Sequence, residues 1–559
     1  RPGRVVWLAL ALALLAVSWR FAEVDPRILL RPATLAAIWN FLAGLFPPDV
    51  SASFLRTVLR AVVQTITTAV AGTLLSITLS LPLGILATAT LWNRGILISA
   101  DVGSLAYRTG ALASRFSRAL LGFLRAVPDL VWALLFVAAV GLGPLAGTLA
   151  LTVSYTGMLG RVYADVFEHV DSQPLEALQS TGATRMQIFL RGVWPQALPH
   201  LVAYSLYSFE CCMRAAAVLG FVGAGGIGYE ISVSMRLFDY GQVLTLLLVF
   251  IGLVAAMDAG SRYLRAHLVN GPGGKIETPG KAAALTPFLS NSRKFVASIL
   301  VFPLLVASFP LAGFTLESLG PAGITTRLVG FVRHMLPPDL SWTFVSSFGI
   351  ALLQTIAISL IGTLIGLALG VVLAVPATST LVFLPRDSPE RLRLRDRVLH
   401  FLVFWSARLL LNILRSIPEL VWVLICILAV GIGPFAGTLA LGLHTAGVLG
   451  KLYAETMEEV PNRPVEALRS LGARPLQLLL WAIWPQARPL LSSYTVLRWE
   501  MNLRASTILG LVGGGGLGQA IYNNVQLGFY PRLSTLILLI YALVLTSDWI
   551  GERLRMRVA

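Results

Sequence analysis

Charged residues are scarce in this chain. Only 13% of its 559 residues are Asp, Glu, Lys or Arg, while 56% are hydrophobic. A soluble globular protein carries roughly 25% charged residues. Too few polar side chains remain to clothe a water-exposed surface, which excludes a soluble enzyme and a disordered chain. A mean hydropathy of +0.78 points to lipid as the main solvent. Cysteine is nearly absent. Cys211, Cys212 and Cys426 all lie in apolar runs, so no disulfide framework is expected. The six histidines (His169, His200, His267, His334, His400 and His444) have no partner at metal-binding spacing, and no metal site is expected. Acidic residues are outnumbered 27 to 43, a formal charge of +16. Membrane proteins concentrate Lys and Arg in cytoplasmic loops, which accounts for such an excess. No basic stripe with interleaved aromatics lies outside the apolar segments, so no nucleic-acid partner is expected. The apolar run at residues 5–18 is not followed by an A-x-A cleavage site, and reads as a retained first membrane helix rather than a signal peptide. The chain opens on Arg1 rather than Met, so further residues are expected ahead of it.

The sequence is written twice. Leu124 opens LRAVPDLVWALLFVAAVGLGPLAGTLAL, and Leu414 opens LRSIPELVWVLICILAVGIGPFAGTLAL. The offset of 290 also relates Pro47-Pro48-Asp49 to Pro337-Pro338-Asp339, Gln64-Thr65 to Gln354-Thr355, Glu176 to Glu466, and Asp258 to Asp548. No gap is needed, so the chain is a tandem duplication. The expected division is a first repeat over 1–266, a polar linker over 267–296, and a second repeat over 297–559.

Crossing about 30 Å of hydrocarbon takes roughly 20 apolar residues in a helix. Six spans are predicted in the first repeat, near 4–21, 57–90, 117–141, 144–167, 198–221 and 241–263, with six more at the same offset. The fold class is therefore an all-α membrane protein of two tandem six-helix units, about 12 transmembrane helices. The second span is long enough to project beyond the bilayer. The third should bend at Pro128, which removes a backbone donor. Arg94, Arg108, Arg115 and Arg118 follow the second span, and Arg386, Arg391, Arg393, Arg395 and Arg397 follow its twin. With Lys275, Lys281, Arg293 and Lys294 of the linker and Arg553, Arg555 and Arg557 at the end, they predict cytoplasmic loops and cytoplasmic termini. Both repeats then share one orientation, as parallel repeats.

Between the fourth and fifth spans stands EALQSTGATRMQIFLRGVWPQALP, residues 176–199, with the twin EALRSLGARPLQLLLWAIWPQARP, residues 466–489. Pro174 or Pro464 can open a short helix. Glu176 or Glu466 is then expected in its first turn, where the helix dipole favours an anion. Gly182 or Gly472 ends it through a left-handed backbone. The expected product is a rigid helical knob on the cytoplasmic face.

The pattern resembles the EAA loop of permease subunits of ABC importers. That resemblance implies a coupling helix that docks in a groove of the ATPase subunit. The residues carried over are Glu176, Ala177 and Gly182 with Glu466, Ala467 and Gly472, and Pro195 and Pro485 match the terminal proline. Leu178 and Leu468 depart from the second alanine. Gly192 and Ala482 stand where the family has Ile, and Trp194 and Trp484 where it has Leu. RAAAVLGFVGAGGIGYEI (214–231), RASTILGLVGGGGLGQAI (504–521), HTAGVLGKLYAE and YTVLRWEMNLRAS are similar to the phosphonate-importer permeases, over nearly the whole of each repeat. The resemblance implies the type I importer permease fold and the bacterial inner membrane. It also implies two copies of an ABC ATPase carrying ATP and Mg, and a periplasmic or lipid-anchored solute-binding protein. No cofactor and no catalytic residue is expected in this chain.

Other readings stay open. The cargo of the same importer class is alternatively phosphate, phosphite, methionine or a quaternary amine. A different class, an ion-gradient transporter with parallel repeats, would need no coupling loop. Gly223, Gly225, Gly226 and Gly228 fit a dinucleotide fingerprint, but they follow a membrane helix rather than a strand. They and their twins Gly513, Gly515, Gly516 and Gly518 read as a flexible loop of close backbone packing at the outer end of the fifth span. Gly273-Gly274-Lys275 lacks the first Gly and the Ser/Thr of a P-loop. Glu210 and Arg214, repeated as Glu500 and Arg504, are spaced i, i+4 inside the fifth span. They read either as helix-internal salt bridges or as the lining of a passage for an anionic substrate. Asp258 and Asp548 read as interfacial anchors, and Arg125 and Arg415 as interfacial or as part of a cytoplasmic gate.

Overall fold

The computed structural model describes residues 13–92, 105–268, 307–314, 323–382 and 394–558. Among them every regular element is a helix. In the first repeat these are α1 (Ala52–Ala87), α2 (Leu105–Ala126), α3 (Asp129–Val140), α4 (Pro144–Glu168), α5 (Ser172–Ser180), α6 (Trp194–Leu219), α7 (Ile227–Arg236) and α8 (Tyr240–Leu268). The second repeat follows with α9 (Gly349–Ala377), α10 (Leu394–Ser416), α11 (Glu419–Val430), α12 (Pro434–Glu458), α13 (Asn462–Ser470), α14 (Trp484–Leu509), α15 (Gly516–Gln526) and α16 (Tyr530–Val558). Shorter helices join them.

Among the described residues, six helices are long and apolar enough to cross a membrane, or up to seven when a bent pair counts as one span. That is fewer than the twelve expected, for physical reasons. The span near 4–21 is helical from residue 13 on, and its beginning lies outside the described residues. The third span is broken where expected. Residues 108–126 and α3 meet at 88° across Val127-Pro128. The fourth span, α4, is rich in Gly, Ala and Thr, and many of its residues are buried against other helices. Such a helix faces protein rather than lipid, and its small side chains let backbones approach. The second span is long, as expected: at 36 residues α1 reaches about 54 Å. The linker from residue 269 on, with Lys275, Lys281, Arg293 and Lys294, lies outside the described residues. So do Arg94, Arg386, Arg391 and Arg393.

The sequence repeats and the compact units divide the chain at different places. Among the described residues, those up to 43 group with those from 335 on, and those between 44 and 334 form the other unit. In the first of these, Ala22 packs with Ala357 and Ile361 of α9. In the second, Gly313 lies against Leu145 of α4. The described first segment of each repeat thus packs on the body of the other repeat, although the two copies of the sequence follow one another in tandem.

The centre of each repeat is a pair of parallel helices in contact through small residues. Gly72 of α1 faces Leu151 of α4, and Gly84 faces Tyr163 in the same order along both helices. In the second repeat Gly362, Gly366 and Gly370 of α9 face Leu441, Thr445 and Gly450 of α12. Ser76 Oγ donates to the Leu151 carbonyl at 3.3 Å and Ser80 Oγ to that of Thr156 at 3.3 Å. At the far end of the pair Glu168 accepts from the Ala89 amide at 2.7 Å and pairs with Arg118 of α2. Glu458 repeats this with the Ser379 amide at 2.6 Å and Arg408 at 2.7 Å. The loop ahead of α1 is pinned to the start of α8, where Thr245 Oγ1 donates to the Asp49 carbonyl at 2.8 Å. The Ser51 amide, first among the causes, holds the Asp49 carboxyl below its usual range.

A Cβ at Gly366 would lie 2.5 Å from Thr445 Cβ. Gly366→Ala should therefore cost about 1–3 kcal/mol by overpacking and lower the Tm of the detergent-solubilised protein. Gly330→Ala, inside the helix Ile324–Met335 where nothing lies within 4 Å, should keep or raise the Tm, because alanine is the better helix former. Equal Tm values for the two variants would contradict this packing.

Candidate coupling site and intramembrane charges

The coupling segment begins with Asp171, whose Oδ1 accepts from the Gln173 amide at 3.1 Å and caps α5. One face of the short helix is anchored. Leu175 is buried in a cluster with Ile188 and Val193, while Glu176 and Ala177 are exposed. The helix starts at Ser172, two residues ahead of Pro174. Glu176 is therefore its fifth residue and lies beyond the first turn, contrary to expectation. The acid that meets the helix start is the cap, Asp171. The stop is as expected. Gly182 has φ +76°, its amide donates to the Gln179 carbonyl at 3.0 Å, and the Ala183 amide reaches back to Leu178 at 3.3 Å. This is the paired closure of a left-handed C-terminal cap. Gly472 (φ +80°) closes α13 the same way, onto Arg469 and Leu468. Beyond the cap the chain passes through one wide π turn, Phe189–Val193 or Leu479–Ile483, into Trp194-Pro195 or Trp484-Pro485.

The two loops are built alike and fill the same space differently. A Cβ at Gly192 would lie 2.5 Å from Leu175 Cδ2. The second repeat has Ala482 there, and the smaller Val465 opposite. The surfaces also differ: Leu471 is 82% exposed and Trp481 75%, where the first repeat has Thr181 and Arg191.

The glycine-rich stretch joins α6 to α7. Gly223, Gly225 and Gly226 have φ between +77° and +96°. A Cβ at Gly228 would lie 1.8 Å from the Ala217 carbonyl oxygen. The close backbone packing expected there is present, and two side chains and one backbone contact close the turn. Gly226 N donates to Gln64 Oε1 at 3.2 Å, Ile227 N to Thr65 Oγ1 at 3.0 Å, and Gly143 N to the Gly223 carbonyl at 2.9 Å. Gly513, Gly515, Gly516 and Gly518 repeat the design, with Gln354 and Thr355 as acceptors at 3.3 and 2.9 Å.

The charges of the fifth span find partners on another helix. In the second repeat Glu500 accepts from Arg555 of α16 at 2.5 Å, and Arg504 donates to Asp548 of α16 at 2.5 Å. The acid and the base thus pair across to the sixth span rather than one turn along their own helix. Gly551 makes the room, since a Cβ there would lie 1.5 Å from Glu500 Oε1. Asp548, read from sequence as an interfacial anchor, is the partner of Arg504. In the first repeat Glu210 is buried, and Arg214 is exposed with Cys211 Sγ 3.9 Å from its Nη2.

Sequence reasoning missed two constellations. One is the Arg118–Glu168 pair and its twin Arg408–Glu458. Their recurrence at the 290 offset was the available signal. The other occurs in the second repeat alone. Glu419 at the start of α11 has His444 Nε2 at 3.3 Å and Arg498 Nη2 at 3.4 Å, both on Oε1. Among the described residues, no group of three His, Cys, Asp or Glu is placed to hold a metal ion.

A family model for the binding-protein-dependent transport system inner membrane component matches residues 95–269 and 397–559. The chain belongs to this family, with the family region present twice. The phosphate-import permease protein PhnE of Mycolicibacterium smegmatis is 33% identical over 500 residues, covering 88% of this chain and 85% of that protein. The phosphite transport system permease protein PtxC of Stutzerimonas stutzeri is 40% identical over 220 residues, 39% of this chain and 74% of that protein. The putative cryptic phosphonate transport system permease protein PhnE2 of Escherichia coli is 39% identical over 117 residues, 21% of this chain and 96% of that protein. The chain is thus a multi-pass inner-membrane transport component that works with an ATPase and a substrate-binding protein.

Gly551→Val should expel the Glu500 carboxylate from its partner. Breaking a buried pair on one side costs about 3 kcal/mol or more, read as a lowered Tm of the purified chain. A wild-type Tm would contradict the fit of Glu500 into that gap.

Proposed function

We propose that this chain supplies both halves of the translocation pathway of an ATP-driven importer for a phosphorus oxyanion, with a phosphonate as its cargo. The observation that carries the reading is the loop that occurs twice with the same left-handed glycine stop, the same anchored face and the same exposed Glu-Ala pair. Each loop docks one copy of an ATPase, so two copies are needed. ATP and Mg belong to that partner, and this chain performs no covalent chemistry. The excess of arginine on α2 and α10 and at the end of α16 supports cytoplasmic termini. A periplasmic or lipid-anchored binding protein delivers the cargo from the other side. Glu210, Arg214, Glu500 and Arg504 remain candidates for the lining of the pathway.

The names of the relatives support a phosphorus oxyanion, and they differ in which one. Inorganic phosphate is the second reading, favoured by the phosphate-import permease that matches over 88% of this chain. Growth of a deletion strain and its complement on methylphosphonate, phosphate or phosphite as sole phosphorus source separates the readings. The complement should restore growth on methylphosphonate. Restoration on phosphate alone would replace the phosphonate reading with the second one.

The coupling role has its own test. A Cβ at Gly182 or Gly472 would meet nothing within 4 Å, so a side chain there disturbs the turn without a clash. A left-handed backbone at a non-glycine residue costs about 1–2 kcal/mol. The double variant Gly182→Val/Gly472→Val should keep ATP hydrolysis in the assembled complex and lose at least tenfold in uptake. Unchanged uptake would contradict docking through these loops.

A further inference from the structure

The duplication offers an internal comparison. Ion pairs that hold the fold recur in both repeats, as Arg118–Glu168 and Arg408–Glu458 do. The Glu419–His444–Arg498 cluster does not recur. At the 290 offset stand Asp129, Ser154 and Ser208, with Cys212 opposite Asn502. A charged cluster that the fold needs once and not twice has a task other than holding the bundle together.

The cluster is rich in donors and poor in acceptors. Arg498 is 8% exposed, and a guanidinium brings five N–H donors. Its contact to Glu419 is 3.4 Å long, against about 2.7–2.9 Å for a good charge-assisted bond. Its Nε is buried with no partner. His444, 9% exposed, donates through Nδ1 to the Ile417 carbonyl at 3.1 Å, so its Nε2, which faces the same Glu419 oxygen, donates to that oxygen or to an anion in its place as the imidazolium. Asn502, one turn beyond Arg498, is fully engaged with Thr363 at 2.8 Å and Thr445 at 3.0 Å. That tie fixes α14, which carries Arg498, against α9 and α12. One carboxylate oxygen serves two cationic or polar side chains, and a buried N–H goes unmet. A buried unmet donor is costly, and it is what a tetrahedral oxyanion with several oxygens would satisfy.

Glu419 is the accessible member. Its side chain is 32% exposed, against 9% for Arg498 and 11% for His444. It also stands at the first residue of a helix that follows the Pro418 break, where the chain already changes direction.

We propose that Arg498 and His444 form a single subsite for a tetrahedral phosphorus oxyanion, and that Glu419 fills it with its own carboxylate when cargo is absent. The proposal rests on the phosphorus-oxyanion reading above and adds where in the chain the anion is held. Cargo and Glu419 compete for Arg498, so one anion is bound per chain, in the second repeat. The first repeat, with Ser208 and Ser154 at these positions, holds none.

The test uses the full chain with its ATPase. Proteoliposomes that also contain the binding protein first establish which of methylphosphonate, phosphate and phosphite is accumulated. Equilibrium dialysis then measures that oxyanion, radiolabelled, on the full chain–ATPase complex without binding protein. Wild type should show one Arg498-dependent site per chain. Arg498→Gln should weaken it at least tenfold, and Arg498→Lys less. Glu419→Gln should strengthen it at least threefold, because the competitor loses its charge. If Arg498→Gln does not assemble, Glu419→Gln carries the test, backed by Glu419→Gln/Arg498→Gln, which leaves no charge buried alone and should bind as weakly as the single arginine variant. Binding unchanged or weakened in Glu419→Gln overturns the competition. Binding unchanged by loss of Arg498 overturns the subsite. Wild-type proteoliposomes that accumulate none of the three oxyanions overturn the functional reading instead, so the two failures are distinguishable.

Discussion

A backbone amide or carbonyl inside hydrocarbon has no water to bond, so every break in a helix must be closed by protein. That constraint shapes each irregular point of this molecule. At the Pro128 break the indole of Trp132 donates to the Leu124 carbonyl at 3.2 Å, and at Pro418 Trp422 does the same for Leu414 at 3.1 Å. At the glycine turns Gln64 and Thr65, or Gln354 and Thr355, accept the exposed amides at the start of α7 or α15. The glycines let backbones meet, and polar side chains from a helix distant in sequence close the gap. A bundle that is broken in the middle can then persist in lipid.

The duplication separates what the fold requires from what has diverged. Glycine stops, breaks, glycine turns and the clasps at Glu168 and Glu458 recur at one offset. The interior of the coupling loop keeps its volume by exchange, Leu175 with Gly192 in one copy and Val465 with Ala482 in the other. Its exterior does not, since Leu471 and Trp481 replace Thr181 and Arg191. The intramembrane polar groups diverge most. The two copies keep a common frame, while the Glu419–His444–Arg498 cluster stands in the second alone.

Much of this was legible in the sequence. The span positions, the break at Pro128 and the stop at Gly182 followed from hydrophobic runs and from the backbone limits of proline and glycine. The position of Glu176 in its helix was misjudged, because Asp171 caps the chain earlier than Pro174 suggested. Partners across helices were invisible to a rule about one helix. The i, i+4 spacing of Glu500 and Arg504 said nothing of Asp548 and Arg555. The Glu419–His444–Arg498 cluster draws on three elements far apart in sequence, and its only trace was a loss of symmetry at offset 290. The packing of each first segment on the other repeat, as with Ala22 on Ala357, carries no local sequence signal because it depends on surfaces that form only after folding.

The central claim is that two matched loops each take hold of an ATPase. It is tested most directly by chemical crosslinking of the full complex. With Cys211, Cys212 and Cys426 replaced by serine or alanine, a single cysteine is placed at Ala177 or at Ala467, and a short bifunctional reagent is added with the ATPase bound. The account predicts a crosslink between this chain and the ATPase from either position. A crosslink from one position only, or from neither, would contradict it.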